Sequence, residues 1–309
     1  MEPNQQARAS TSRTPKGVFI PPLRPGRELH DKNEPIFDQG LAFDVETLMD
    51  RRQVMKLLGY SGLAVGLLTI AGCAPGAASA TPSGAAASAA SGSASTADCD
   101  VIPEETAGPF PGDGSNGPDV LNQSGIVRKD IRSSFGSSSG TATGVPLTIS
   151  LAIQDDSNNC APLASAAVYV WHCDQAGLYS LYSPGATDRN YLRGVQETDA
   201  NGVATFVSVF PACYSGRWPH IHFEVYPSLS KATSPSNKIA TSQIALPKEI
   251  CDAIYATDGY SQSAANLAGV SLASDGVFGD DGGAHQLGTV SGSVAGGLAV
   301  ELAVPVKTA

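Results

Sequence analysis

From Asp100 onward the chain alternates apolar and polar residues with a period of two. Val145–Gln154 reads VPLTISLAIQ, and Ala167–His172, Val203–Phe210 and His220–Tyr226 are rich in β-branched and aromatic residues. Successive side chains of a strand point to opposite faces, so this pattern gives each strand one face for a core and excludes amphipathic helices over the same segments. Ser242–Leu246, Gly288–Val294 and Gly297–Val304 extend the set. Pro305 is expected to end the last strand or leave it at an edge, since proline cannot donate to a ladder. Asp199-Ala-Asn-Gly202 has the composition of a tight turn. Helical pattern is confined to Lys248–Ala256, behind Pro247. The reading is all-β, a two-sheet β-sandwich over residues 99–309.

The preceding segment reads as address. Arg51-Arg52 leads into residues 57–72, LLGYSGLAVGLLTIAG, which carry no charge. The run is short for a membrane span, which needs about 20 residues. A basic pair before it is the pattern of an export signal of twin-arginine type. Ile70-Ala-Gly-Cys73 resembles a lipobox, making Cys73 the expected lipidation site over residues 51–73. Residues 74–98 are Ala, Ser, Gly, Pro and Thr almost throughout and read as a flexible linker. Residues 1–50 read as a disordered extension, with Met49 an alternative start. The body is thus expected to be exported, facing outside the cytoplasm, with membrane contact through the lipid alone.

Net charge is −10, and residues 73–309 carry 10 basic against 21 acidic side chains. That balance lacks the basic footprint of nucleic-acid binding. With Cys73 lipidated, Cys99, Cys160, Cys173, Cys213 and Cys251 remain. Their pairing is not readable from spacing, and their odd number leaves at least one free thiol.

One segment carries chemistry. Residues 211–225 read PACYSGRWPHIHFEV. His220 and His222 are two apart in a strand, so both imidazoles lie on one face. Tyr214 precedes them, and VYVWHCDQAGLYS at 168–180 presents Tyr179 after a strand. A phenol ionises near pH 10, so tyrosine ligates only strong Lewis acids at neutral pH. Two Tyr with two His therefore fit Fe(III) better than zinc or copper. His172, Tyr182, Tyr191 and Tyr226 are read as core or pocket wall, His30 and His285 as solvated, and Arg193 as a salt-bridge partner.

At these residues the sequence resembles the intradiol ring-cleavage dioxygenases. The matching stretches are PEETAGPFPGDGSN (103–116), PLASAAVYVWHCDQAGLYS (162–180), NYLRGVQETDANGVATF (190–206), VFPACYSGRWPHIHFEV (209–225) and TSQIAL (241–246). The resemblance implies a β-sandwich holding one non-haem ferric ion on Tyr179, Tyr214, His220 and His222. Tyr179 would stay bound and Tyr214 would leave as substrate arrives. It implies catalytic roles for Arg217 and Gln243 and a pocket loop at Gly108 and Pro109. Substrates would be a small aromatic diol and O2. The helical dimerisation region of catechol 1,2-dioxygenases has no counterpart before Asp100, which leaves a homo-oligomer open. The competing class is a non-catalytic, lipid-anchored binding module on the same sandwich, since fold does not fix function.

Overall fold

The computed structural model describes residues 99–308. The extension at 1–50, the export signal with Cys73, the linker at 74–98 and His30 lie outside the described residues. Nine strands follow in chain order: β1 (Pro146–Asp155), β2 (Ala161–Pro162), β3 (Ala167–Trp171), β4 (Arg193–Glu197), β5 (Val203–Val209), β6 (His220–Tyr226), β7 (Ala240–Ala245), β8 (Thr289–Ser293) and β9 (Gly297–Val306). Two helices, α1 (Lys248–Tyr255) and α2 (Ser261–Leu267), stand between β7 and β8. Among the described residues no helix is long and apolar enough to cross a membrane.

The strands form two sheets. In the first, β1 pairs in parallel with β9 on one side and antiparallel with β5 and β2 on the other, and β8 borders β9. The second is antiparallel throughout, in the order β4-β3-β6-β7. Alternation sets their facing sides. Ile149, Leu151, Ile153 and Phe206 of the first sheet meet Val168, Val170, Ile221, Phe223, Val225 and Ile244 of the second in one apolar cluster. Each such side chain, fully buried, contributes about 1.5–3 kcal/mol.

The second sheet is also covered on its other face. Tyr169, Trp171, Val195 and Tyr226 pack there with Val120, Leu121, Ile126 and Tyr179 from the loops. Every residue of β6 is consequently buried. This second buried face carries His220 and His222.

Three expectations change. Pro305 does not end β9, which runs on to Val306 beside β1 and beyond the reach of β8. Its carbonyl accepts from Ile102 N–H at 2.9 Å. A strand residue's N–H and C=O share one side, so the missing donor faces that loop and costs β1 no bond. Strand β4 and helix α2 were not expected, because RGVQE and SQSAANL lack the apolar period of either element. The tight turn stands as read: Asp199 Oδ1 accepts from Asn201 N–H and Val203 N–H, and Gly202 takes φ +74°.

Candidate metal centre

Each of the four sequence-derived donors reaches the site from its own local structure. Tyr179 sits on a loop shaped by Asp174, whose Oδ1 accepts from Ala176 N–H and Leu178 N–H while Oδ2 accepts from Tyr191 O–H. Gly177, at φ +82°, lets this loop pass against Tyr214, where a Cβ would stand 3.4 Å from the Tyr214 Cβ. Tyr214 follows Cys213, whose N–H donates to Ser263 Oγ and whose carbonyl accepts from Asn266 Nδ2, both on or beside α2. His220 and His222 stand two apart on β6, with Ile221 in the inter-sheet core.

The four polar tips converge. Tyr214 Oη lies 3.1 Å from His220 Nε2, and Tyr179 Oη lies 3.3 Å from the same nitrogen. His220 Nε2 and His222 Nε2 are 3.1 Å apart, and the two phenol oxygens 3.5 Å apart. Nδ1 of His220 meets the Trp218 carbonyl at 2.5 Å, so Nδ1 carries the proton and Nε2 turns its lone pair inward. His222 is held by packing. Its ring stacks on Trp171 at 4.8 Å and 7°. On its other side Gly108, at φ +69°, comes so close that a Cβ would stand 3.3 Å from Cε1.

Burial fixes the protonation states. It drives the His220 imidazole down to about 3, with the Arg217 charge adding to the effect. His222 is pushed well below its ordinary value by burial and then by His220. Burial raises Tyr214 to about 12 against the pull of Arg217, and raises Tyr179 further, with Tyr214 adding to it. Near pH 7 the imidazoles are neutral donors, and the phenols ionise only if a cation offsets their burial.

This set fits a metal ion. A first-row ion with bonds of about 2.1 Å and angles of roughly 90–110° keeps neighbouring donors ~3.0–3.4 Å apart, close to the spacings found here. Among the described residues no group of three or more His, Cys, Asp or Glu is placed to hold a metal. The phenols must be counted, and phenolate oxygen with imidazole suits a hard, highly charged ion.

Beside the donors lies a polar wall. Arg217 is buried, donating from Nη2 to Gln243 Oε1 at 2.7 Å and from Nε to Asp275 Oδ2 at 3.0 Å. Gln243 pairs across the ladder with His222, and its Nε2 donates to the Thr106 carbonyl. That contact joins Gln243 to the loop that carries Gly108 and Pro109. Phe110, next along, packs its ring 4.9 Å from that of Tyr179.

The remaining sequence expectations sort cleanly. His172 is buried away from the donors, bonded to the Cys173 carbonyl and Ser208 Oγ. Tyr226 bonds Glu224 and Tyr191 bonds Asp174. Tyr182 bonds Gly112 N–H and Asn116. His285 is exposed. Arg193 is a correction: among the described residues no carboxylate pairs with it. Its guanidinium donates to Ser180 Oγ, Tyr169 Oη and the carbonyls of Phe110, Pro111 and Ser180. A planar fork of five donors satisfies neutral acceptors as well as a carboxylate. Asp275 was missed, because an Asp in a Gly-rich loop carries no sequence signal for a partner 58 residues away. Of the cysteines, Cys99 and Cys160 form a disulfide, and Cys173, Cys213 and Cys251 are buried thiols.

Comparison with known proteins bears on this arrangement. A family model described as Dioxygenase (Dioxygenase_C) matches residues 116–224. No curated protein matches the chain. An intradiol ring-cleavage dioxygenase from Tetranychus urticae is 25% identical, with 68% of this chain and 95% of that one covered and a TM-score of 0.54. Catechol 1,2-dioxygenase from Pseudomonas arvilla C-1 is 18% identical, covering 67% of this chain and 62% of that one, at a TM-score of 0.41. The fold is that of a dioxygenase sandwich with its polar site on the outer face of one sheet. By the matched segment and this fold, the chain is similar to the intradiol ring-cleavage dioxygenases.

Proposed function

We propose that the protein holds one non-haem ferric ion on Tyr179, Tyr214, His220 and His222. It inserts both atoms of O2 into a catechol-type diol, opening the ring between the hydroxyls to a cis,cis-muconate-type diacid. The observation that carries this reading is the convergence of two phenol oxygens and two inward-facing imidazole nitrogens at 3.1–3.5 Å. When bound, a ferric ion supplies Lewis acidity and a template for the two diol oxygens.

The protein's own groups divide the remaining work. Tyr179 is buried and held by its loop, so it stays. Tyr214 is part-exposed beside exposed Ser215 and Gly216, the latter at φ +87°. It is the donor free to swing out, and its phenolate oxygen would be the group to accept one diol proton. Arg217 and Gln243 form a preorganised polar wall against the negative charge that builds on the ring. From the loop that Gln243 holds at Thr106, Gly108 presses on His222 and Phe110 packs against Tyr179.

The test is a visible absorption spectrum of the purified protein before and after anaerobic catechol. A broad phenolate-to-iron charge-transfer band that shifts on catechol addition is expected. A protein that stays colourless with added iron removes the ferric-tyrosinate reading and favours the binding module.

The same reading places the body outside the cytoplasm, anchored through Cys73. The Cys99–Cys160 disulfide supports this, since disulfides persist mainly in oxidising compartments. Mass analysis of the N-terminal peptide from membranes should find a lipid on Cys73. A soluble protein with an unmodified Cys73 would refute the anchor.

A further inference from the structure

The Arg217 side chain is only as well placed as whatever holds its Nε, and that group is Asp275. This carboxylate comes from the loop between α2 and β8 and is buried with no exposed side-chain surface. All its hydrogen bonds run to two short stretches. Oδ2 accepts from Arg217 Nε at 3.0 Å and from Trp218 N–H at 2.6 Å. Oδ1 accepts from Val277 N–H at 2.8 Å and Phe278 N–H at 3.1 Å. One oxygen thus grips the 217–218 segment and the other fixes the carboxylate to its own loop.

The grip reaches two functional groups. It sets the guanidinium plane, so that Nη2 meets Gln243 Oε1 at 2.7 Å. Its bond to the Trp218 N–H also holds the backbone just before the Trp218 carbonyl, which receives the His220 Nδ1 proton. Outer-shell groups of this kind orient what they hold and are felt in function.

We propose that Asp275 is a positioning residue: it locks Arg217 against the diol site. The proposal rests on the reading of the site given above, but its geometry can be tested without the reaction. In the metal-free protein, nitrogen-15 NMR of arginine side chains should show Arg217 Nε–H protected from solvent exchange, assigned by its loss in Arg217→Lys. Exchange as fast as that of an exposed arginine overturns the proposal, whatever the iron spectrum shows.

The functional arm is a double-mutant cycle. Asp275→Asn keeps the shape but cannot accept all four bonds. In the iron-loaded protein kcat should fall at least tenfold, while the equilibrium constant for anaerobic catechol changes less than threefold. In an Arg217→Met background the same substitution should cost less than threefold, because Arg217 is the group it acts through. An equal loss in both backgrounds means a merely structural role and refutes the proposal. If Asp275→Asn does not fold, the exchange measurement on the wild-type protein still decides it.

Discussion

Replacing Arg193 by lysine should be among the most damaging charge-conserving changes in this protein. Arg193 is 1% exposed and donates to five acceptors, three of them backbone carbonyls at Phe110, Pro111 and Ser180. Its guanidinium also lies 5.5 Å from the Tyr182 ring centre. A lysine ammonium is a point donor that satisfies roughly two of these acceptors from one position. About three are left unpaired in a dry interior, at about 1–1.5 kcal/mol each. The expected loss is therefore about 3–5 kcal/mol. For a body of this size that lowers Tm by roughly 6–20 °C. The damage should also spread to the site, because Arg193 ties the Phe110–Pro111 loop to the Ser180 segment beside Tyr179. Thermal unfolding followed by circular dichroism, with and without iron, measures both effects. A Tm within 3 °C of wild type would show that the Arg193 network contributes far less than its bonds imply.

Gly108→Ala should cost about 1–2 kcal/mol from its left-handed backbone and crowd His222, which cannot retreat because Trp171 stacks behind it. Iron binding, measured by chelator competition, should weaken about tenfold, and wild-type affinity would mean the loop does not press on His222. Reducing Cys99–Cys160, which closes a separation of 61 residues, should lower stability by about 4 kcal/mol; an unchanged urea midpoint under reductant would contradict this. Glu224 is raised to about 7 by burial, against the nearby Lys238 charge. A carboxyl raised on folding contributes stability present below its unfolded value and lost as pH rises through the folded one. Stability should therefore fall by roughly 3 kcal/mol between about pH 4.5 and 8, with the half-buried Glu105, also near 7, adding to the trend. Urea unfolding across that range that shows no decline would refute the assignment.

What could be read in advance followed from how local each signal was. Strand β6 was placed to the residue, because HIHFEVY alternates over its whole length and its inner residues are Ile221, Phe223 and Val225. The same alternation put His220 and His222 on one face, and the G-x-Y-S and P-x-x-Y-x-x-R motifs added Tyr179 and Tyr214. What stayed hidden depends on contacts distant in sequence. Strand β4 begins with Arg193-Gly194, which has no strand propensity alone; it forms because β3 supplies a ladder and Arg193 finds five buried acceptors. Helix α2 is short and polar, yet its Asn266 holds the carbonyl of the peptide before Tyr214. Asp275 lies 58 residues from Arg217, and the disulfide partners are 61 apart. No period or motif links residues across such intervals.

The anchors explain why four donors on one site need not behave alike. Tyr179 is buried against Phe110 and hangs from a loop that Asp174 ties down at two N–H groups. His220 is fixed at Nδ1 by the carbonyl of Trp218, a residue whose N–H Asp275 accepts. His222 is wedged between Trp171 and Gly108. Tyr214 has the lightest support: its carbonyl accepts from Arg217 N–H at 3.4 Å and α2 holds the residue before it, while Ser215 and Gly216 just after are exposed. Its side chain can therefore rotate away without breaking the fold around it. On the proposed function, a site that holds an ion and admits a two-oxygen ligand would need three firm donors and one that yields, and the support of these four side chains is graded in that order.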